Sequence, residues 1–513
     1  MEVPEPPSRA RDKNLWDAED YTADIRDDAD VVVVGTGPAG AMAALALAER
    51  GKSVIFVEAG RQLTPADFHR DIGRTLAEHF WSGGVRVARG NVLMPTLQAR
   101  CVGGGSVFNS AICMRALPSA LSRWAGTYGV EGCSVDELAP HFDAVEAFMG
   151  VKPVDDAVQG TRNRLFLQAA QTLGWAAGPI LRNEKGCVGS GECILGCRAE
   201  AKLSTDRRGV PEVLDLGGRL YASARVDRLL TQGTRIRGVA GTLTDRAGRD
   251  TSRRFRFTAR TTVLAAGTIA TPVLLRASGI RHPGVGDNLR FHPSTYVVGV
   301  FDRLIEPWRG ATQGAHSTEF LERGIKLEAL WADPAVFSIR FPAEAVAFQS
   351  YMAKWPSIAV WDGWTSGDDS QGAVRQVGPR LDLTWSLGPR DLKGLVETNA
   401  LLAEMFRAAG AKEVLPGMRG LPPVMDAATA PELIRAARVQ ATDLPTASNH
   451  VFGATPMGAQ GLGAVDSWGQ PYGWQDVHVV DTGLFPDSPG VNPMLTGMAL
   501  AYRIGVELAA RSR

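Results

Sequence analysis

The chain changes from a polar to an apolar pattern near residue 30. Residues 1–28 are polar and contain several prolines, whereas residues 31–34 form an unbroken run of valines. Such a run is typical of a strand that is buried on both faces, as in a parallel sheet. Residues 41–50 favour a helix, and residues 53–58, "SVIFVE", predict a second strand. The pattern therefore predicts a strand, a helix and a strand in succession behind a polar leader.

Later segments predict further pieces of the same kind of fold. From Thr261, "TTVLAAGTIATPVLLRASGI" predicts a strand, a glycine turn and a helix that begins near residues 271–272, because proline favours the first helical turn. Residues 478–510 predict a strand, a loop and a long apolar helix. Residues 380–387, "RLDLTWSL", alternate in polarity like a strand with one face toward a pocket. The predicted class is α/β, in which distant segments form one nucleotide-binding body.

A glycine motif lies between the first predicted strand and helix. Gly35, Gly37 and Gly40 have the spacing GxGxxG, and Glu58 ends the second strand. Glycines let the backbone approach a pyrophosphate, the helix N-terminus favours its charge, and a carboxylate accepts ribose hydroxyls. A glycine-rich turn in an unrelated α/β fold is the alternative interpretation. Glu58 favours an adenosine ribose without a 2′-phosphate, but it does not distinguish NAD from FAD.

Length, charge and cysteine usage restrict the class of protein. The 513 residues predict two domains or one large composite body. Lys and Arg total 55, as do Asp and Glu, so net charge attracts the chain neither to nucleic acid nor to an anionic membrane. The sequence offers no signal peptide and no apolar run that could span a bilayer as a transmembrane segment. We therefore expect a soluble cytoplasmic protein, whose six cysteines are free thiols or ligands rather than disulfides.

Six segments in order resemble the glucose–methanol–choline (GMC) oxidoreductase family. They are GTGPAG with Glu58, GGGSVFN at 103–109, GTIATPVLLRASG at 267–279, VGDNL at 285–289, SNHVFGATPMG at 448–458, and DTGLFP with GVNPMLT at 481–496. The resemblance implies an α/β fold class, with a GMC-type FAD-binding Rossmann-like domain and an α+β substrate domain containing an antiparallel sheet. It also implies non-covalent FAD, since the second segment lacks the histidine to which some members attach the flavin.

The resemblance implies a discontinuous division of the chain. Residues 1–28 would be a polar N-terminal leader, and residues 29–120, 201–295 and 441–513 would form the FAD-binding domain. Residues 121–200 would form a cap or lid with a cysteine-rich loop, and residues 296–440 the substrate-binding domain.

The resemblance also assigns cofactor contacts to individual positions. These are Gly35, Gly37, Gly40, Glu58, Gly104, Gly105, Ser106, Asn109, Val226, Gly267, Asp481, Thr482, Pro493 and Met494. Among them, Val226 stands where the family has a backbone contact to adenine. Pro493 and Met494 would open the last helix, whose positive end would face the flavin edge that becomes negative.

Oxidation of an alcohol by a flavin requires a base that removes the hydroxyl proton while a hydride leaves. His450 matches the position of the family's base, and the second catalytic position is Asn492, where some members have histidine. His292 is interpreted as a structural loop residue. The small-molecule alcohol would be a sterol, a long-chain alcohol, an aromatic alcohol or a sugar-like compound. Electrons would pass to oxygen, a quinone or an electron-transfer protein.

Two other functions remain compatible with these motifs. One is a hydroxynitrile-lyase-like flavoprotein that carries out no net redox reaction, and the other is a redox-inactive flavin-binding protein. An NAD-dependent dehydrogenase would explain the first motif alone. Tryptophans such as Trp355, Trp364 and Trp385 suit an aromatic pocket wall as well as an ordinary core.

Three cysteines cluster in "GCVGSGECILGC", residues 186–197. The spacing of Cys187, Cys193 and Cys197 suits an iron–sulfur or other metal site, a disulfide with a spare thiol, or a turn with small buried side chains. The segment is similar to one in a bacterial GMC branch that includes glucose and fructose dehydrogenases, where a cysteine triplet holds a [3Fe–4S] cluster. The resemblance therefore makes the three thiols candidate cluster ligands, with inert thiols in a lid loop as the alternative.

Overall fold

A large mixed sheet carries the first glycine motif. The computed structural model describes residues 14–330, 334, 345–378 and 380–511, and in this part of the chain the sheet has eight strands. In spatial order they are Leu15–Trp16, Arg219–Tyr221, Val54–Val57, Ile25–Val34, Asp250–Leu264, Arg235–Thr244 and Ala224–Gln232, with Val477–Val479 also paired to Asp250–Leu264. The first five strands and Val477–Val479 run parallel to their neighbours, and the other two pair antiparallel.

The first strand of the sheet lies within residues 1–28, the segment predicted to be a polar leader. Residues 1–13 lie outside the described residues, whereas Leu15–Trp16 already pairs with Arg219–Tyr221. The Trp16 ring stacks on Tyr221 with centroids 4.8 Å apart, which holds this short edge strand in place despite its polar neighbours. Hydropathy does not reveal such a contact, because the two rings are distant in sequence.

The helix Pro38–Ala48 is almost completely buried between the sheet and the last helix, Met494–Arg511. It begins earlier than the predicted residue 41, since proline suits the first helical position. A Cβ added at Gly505 would lie 2.6 Å from the carbonyl oxygen of Ala43. Glycine and alanine therefore let the two helices approach closely, which brings the C-terminal segment to the glycine motif.

A second, antiparallel sheet forms the other layer. Its strands in spatial order are Met425–Asp426, Glu413–Leu415, Ser294–Val300, Ile358–Thr365, Ile325–Leu330, Ala315–Ser317 and Ala177–Pro179. The helix Pro389–Ala408 packs against it. The strand Ala177–Pro179 comes from the predicted cap, so the cap and substrate segments share one sheet. The division into domains remains a prediction.

Smaller strands and further helices complete the described fold. The remaining strands are Val87–Arg89, Leu93–Pro95, Val151–Pro153, Leu181–Asn183, Arg290–Phe291, Gln371–Val377, Arg380–Ser386 and Val451–Phe452. The remaining α-helices of the described chain are Ile72–His79, Pro118–Tyr128, Val135–Phe148, Gly160–Leu173, Val210–Asp215, Ala270–Ala277, Ala345–Ala353 and Ala430–Ala436. Among the described residues, none of the helices has the length and apolar character needed to cross a bilayer.

Candidate active site

The first glycine motif is shaped by backbone contacts that only glycine permits. Gly35 has φ +98°, and a Cβ there would lie 2.3 Å from the carbonyl oxygen of Ala265. A Cβ at Gly40 would lie 2.2 Å from the Gly35 oxygen. A Cβ at Gly37, in contrast, would meet no described atom within 4 Å beyond its chain neighbours. Gly37 therefore borders open space at the N-terminus of the helix, where a ligand could approach the backbone.

Glu58 is a buried carboxylate tied to this motif. It accepts hydrogen bonds from the Thr36 backbone N–H at 3.0 Å, the Thr36 hydroxyl at 2.9 Å and the Gly60 N–H at 2.9 Å. Burial raises the pKa of Glu58, and these hydrogen bonds oppose the shift. The N–H of Ala224 donates to the Glu58 carbonyl oxygen at 2.8 Å, so the strand that contains Val226 starts beside Glu58.

The second glycine segment packs directly on the first. The Gly103 N–H donates to the Thr36 hydroxyl at 3.0 Å, and a Cβ at Gly104 would lie 3.0 Å from the Gly37 Cα. Ser106 and Thr205 share a hydroxyl hydrogen bond of 3.0 Å. Thr205, which no sequence motif indicated, also donates its hydroxyl to the Thr36 carbonyl oxygen. A Cβ at the neighbouring Gly105 would meet no described atom within 4 Å, again leaving open space.

Asp481 joins the third glycine segment to the C-terminal one. Its carboxylate accepts from the Gly267 N–H at 3.0 Å, the Thr271 hydroxyl at 2.5 Å and the Gly483 N–H at 2.9 Å. Burial raises the pKa of Asp481 to about 6. The hydroxyl of Thr482 lies 3.0 Å from that of Thr268. These contacts show Asp481 fixing the backbone between the segments.

The last helix starts at Met494, directly after Pro493, and touches the second glycine segment. The Asn109 side-chain amide lies 2.9 Å from the Met494 sulfur. All four predicted nucleotide-binding segments thus lie against one another. They combine glycine backbone that borders open space, the buried carboxylate of Glu58 and the N-terminus of the helix Pro38–Ala48. Among the described residues, this N-terminus has no side-chain cap and no acid in its first turn. This donor set fits the pyrophosphate and ribose of a dinucleotide.

His450 and Asn492, the predicted catalytic pair, are neighbours in space. The His450 Nε2 lies 3.3 Å from the Asn492 Nδ2. His450 is partly exposed, whereas Asn492 is buried. Enclosure by the protein lowers the pKa of His450 to about 4, Lys326 acts in the same direction, and Glu328 opposes it. His450 is therefore neutral near pH 7 and has a lone pair available.

His292 belongs to this site, although the sequence analysis interpreted it as a structural loop residue. Its Nδ1 lies 3.1 Å from the His450 Nδ1, and its Nε2 lies 2.7 Å from the Ser488 hydroxyl. The strand Arg290–Phe291 pairs with Val451–Phe452, and this pairing brings the two histidines together. No sequence pattern predicted that pairing, since both strands have only two residues.

A buried ion pair, which the sequence motifs did not indicate, lies behind Asn492. Lys326 and Glu328 are buried, contact each other, and lie on one face of the strand Ile325–Leu330. The Lys326 Nζ donates to the Asn492 Oδ1 at 2.5 Å. The segment "IKLEAL" contained a signal, because charges at alternate positions of an otherwise apolar strand face the same side.

The tryptophans divide between site and core. The Trp364 ring stacks on His292 with centroids 4.2 Å apart and planes 5° apart. Trp361 instead stacks on Phe406 at 3.9 Å, on the other face of the sheet. Trp385 packs edge-on against Phe291 at 5.6 Å. Of these three rings, Trp364 alone contacts the histidine pair.

The structure gives no evidence for a cluster at the cysteine triplet. Within the residues that the structure describes, no group of three or more His, Cys, Asp or Glu side chains is placed to hold a metal ion. Cys193 is buried and accepts from the Arg182 guanidinium at 3.0 Å, whereas Cys187 and Cys197 are partly exposed. Burial alone would raise the pKa of Cys193, but Arg182 and Lys202 lower it. Among the described residues, the predicted [3Fe–4S] cluster therefore finds no support.

Comparison with known proteins agrees with this architecture. Family models described as GMC oxidoreductase match residues 30–294 and residues 368–501. An uncharacterised GMC-type oxidoreductase of Mycobacterium tuberculosis is 34% identical over 94% of this chain and 76% of its own length. A long-chain-alcohol oxidase of Arabidopsis thaliana is 26% identical over 94% of this chain and 68% of its own.

A solved structure shows the same fold. Pyridoxine 4-oxidase from Mesorbium loti superposes with a TM-score of 0.71 at 20% identity, over 93% of this chain and 98% of that one. The match spans both the mixed sheet and the antiparallel sheet, so the predicted fold class is confirmed. Together with the two family models, which cover more than half of the residues, these similarities establish that the chain belongs to the GMC oxidoreductase family.

Proposed function

We propose that this protein binds FAD non-covalently and oxidises the CH–OH group of a small-molecule alcohol to a carbonyl. The observation that carries the proposal is His450, a neutral and partly exposed imidazole whose Nε2 lies beside the Asn492 amide. A relative is named a long-chain-alcohol oxidase, and a structural neighbour is named pyridoxine 4-oxidase. Both names support oxidation of a hydroxyl-bearing substrate.

The proposed reaction separates a proton from a hydride. His450 accepts the hydroxyl proton at Nε2, and an N–H of Asn492 donates to the substrate oxygen as its negative charge develops. Bound FAD supplies the acceptor for the hydride of the carbinol carbon. Enclosure of His450 keeps the base neutral before the reaction, and its partial exposure leaves it accessible to a substrate.

The converging glycine segments would hold the cofactor. Gly35, Gly37 and Gly40 would receive the pyrophosphate at the helix N-terminus, with Glu58 on the adenosine ribose. The segment Gly104, Gly105, Ser106 and Asn109 would continue the site toward Met494. Of the other predicted positions, Asp481 would contribute through the backbone that it holds in place. Val226 would contribute through the backbone of its strand. The cysteine triplet takes no part in the proposed reaction.

Anaerobic mixing of the holoprotein with alcohols tests this function. A panel containing a sterol, a long-chain alcohol, an aromatic alcohol and a sugar should include at least one compound that bleaches the flavin absorbance. A flavin that dithionite reduces but none of the alcohols reduces would contradict the proposal. Cleavage of a cyanohydrin without bleaching would instead support the lyase alternative. Reoxidation by oxygen, a quinone or a redox protein would then identify the electron acceptor.

Glu58→Ala should weaken FAD retention without unfolding the protein. The substitution removes the carboxylate expected to bind the ribose, while the glycine motif keeps its own backbone contacts. Flavin absorbance per chain after extensive dialysis measures the effect. Glu507→Ala, on the exposed face of the last helix, serves as the matched control and should retain its flavin. Equal flavin occupancy in both variants would remove Glu58 from the cofactor site.

The rate of flavin reduction should be nearly independent of pH between about 6 and 8. The neutral form of His450 is the active base, and its pKa of about 4 keeps that form dominant throughout this range. The rate should fall only as the pH approaches about 4, where His450 becomes protonated. Stopped-flow reduction across pH gives the profile. An acid limb near the ordinary histidine pKa of about 6.5 would contradict the assignment.

A further inference from the structure

A buried ammonium group lies directly behind the proposed catalytic pair. The Lys326 side chain is fully buried, and its Nζ donates to the Asn492 Oδ1 at 2.5 Å. Its charge is balanced by Glu328, which accepts from the Gln313 side-chain amide at 2.8 Å. A buried lysine is rare unless it is paired, and this one also reaches a residue of the site. The proposed reaction does not yet assign it a role.

The chemistry of these groups fixes the orientation of the Asn492 amide. An ammonium can only donate hydrogen bonds, so the amide oxygen of Asn492 must face Lys326. The amide NH₂ then faces the His450 Nε2, at a distance of 3.3 Å. Because an NH₂ group can also only donate, His450 must accept at Nε2 and carry its proton on Nδ1. The charge of Lys326 thus determines which nitrogen of His450 has the lone pair.

The hydrogen bonds beyond His450 keep the same donor-to-acceptor direction. Its Nδ1–H donates to the His292 Nδ1 at 3.1 Å, and the His292 Nε2–H donates to the Ser488 hydroxyl at 2.7 Å. Each step follows from the one before, and the Lys326 ammonium stands at the start of the chain. A neutral side chain at 326 would let the amide rotate, and each histidine tautomer downstream would lose its bias.

We propose that Lys326 is a positioning residue, which orients the Asn492 amide and thereby holds His450 in the tautomer that accepts a proton at Nε2. The inference rests on the proposed function, in which His450 is the base. When a substrate hydroxyl takes the place of the amide at the Nε2 lone pair, the displaced N–H of Asn492 can donate to the substrate oxygen as it loses its proton. Polarisation of the amide by the adjacent ammonium strengthens that donor.

Other charged and titratable groups lie near Lys326 and His450. Glu328 neighbours His316 across the sheet, Asp362 pairs with Glu328 in register, and His292 faces His450 from the opposite side. Lys326 lowers the pKa of His450, and Glu328 opposes this shift. Loss of the lysine charge alone should therefore raise the pKa of His450.

Lys326→Met provides the test, with two independent readouts. Ring-nitrogen chemical shifts of ¹⁵N-histidine-labelled holoprotein, assigned with His450→Gln, should show a single His450 tautomer in the wild type and a mixture in the variant. Flavin reduction by the alcohol found above should slow by about tenfold or more, since small misplacements of reacting groups are costly. The acid limb of the pH profile should also move to higher pH.

Two further variants complete the experiment. Lys326→Met/Glu328→Gln removes both charges, so it avoids an unpaired buried carboxylate and should fold even if the single variant does not. It should show the same loss of a single tautomer. Lys354→Met makes the same change at an exposed lysine paired with Glu413 and should behave as wild type in every readout.

The outcomes separate this inference from the proposed function. An unchanged His450 tautomer and an unchanged reduction rate in both Lys326 variants would overturn the role of Lys326 and leave the proposed function intact. If the wild-type flavin is reduced by none of the alcohols, the proposed function fails. The nitrogen shifts would still decide whether Lys326 fixes the tautomer, because they need no substrate.

Discussion

His450→Ala is expected to leave FAD bound and to slow flavin reduction by the substrate at least about a hundredfold, which is the usual contribution of a positioned general base. The substitution removes the group expected to accept the hydroxyl proton. The hydride would then have to be transferred from an alcohol that still carries this proton. The nucleotide-binding segments do not depend on this side chain, because Gly35, Glu58 and Asp481 make their contacts elsewhere. Stopped-flow absorbance gives the rate, and the flavin spectrum reports cofactor occupancy.

The control for this variant is His282→Ala, at a partly exposed loop histidine outside the site. It should reduce its flavin at the wild-type rate. If His450→Ala also kept near-normal reduction with full flavin, His450 would not be the base. Loss of the flavin itself would indicate damage to the cofactor site and would be visible before any substrate is added.

Trp361→Ala is expected to destabilise the protein by about 3–5 kcal/mol, the usual cost of truncating a fully buried tryptophan. Its ring is completely buried, stacks on Phe406 at 3.9 Å and meets Phe166 edge-on at 5.2 Å. The cavity would open between the antiparallel sheet and the helix Pro389–Ala408. Chemical denaturation at a fixed FAD concentration measures the change in the free energy of unfolding. Unfolding is followed by the circular dichroism of the backbone, a signal that does not depend on the tryptophan removed.

Trp308→Ala is the matched control, since that residue is 38% exposed. Its free energy of unfolding should change by less than about 1 kcal/mol. Similar losses in the two variants would contradict the assignment of Trp361 to the core. A change in flavin reduction by folded Trp361→Ala protein would show that the ring also supports the site.

Local sequence predicted the parts of the fold whose signal lies within a short window. The valine run at 31–34, the glycine spacing and the carboxylate Glu58 predicted the first strand, helix and strand, which the structure contains as Ile25–Val34, Pro38–Ala48 and Val54–Val57. The order of six motifs predicted the family and its two-layer fold, and both predictions are confirmed. The assignments of cofactor and catalytic residues stay predictions.

Contacts between distant segments could not be predicted from the sequence. His292 lies against His450 because two short strands pair, and Lys326 lies against Asn492 because the antiparallel sheet faces the C-terminal segment. The cysteine spacing predicts a cluster, whereas no group of three ligand side chains is placed to hold one among the described residues. For His292 and Lys326 the deciding partner lies 158 and 166 residues away along the chain.

By itself, the sequence determined the first strand, helix and strand and the family of the chain, because glycine spacing and hydrophobic periodicity are local properties. Only the tertiary structure decided which side chains surround His450 and whether a tryptophan faces the site or the core. The orientation of Asn492 and the tautomer of His450 depend on the ammonium of Lys326, 166 residues away. Such hydrogen bonds arise from strand pairing and packing, for which short peptide patterns carry no signal.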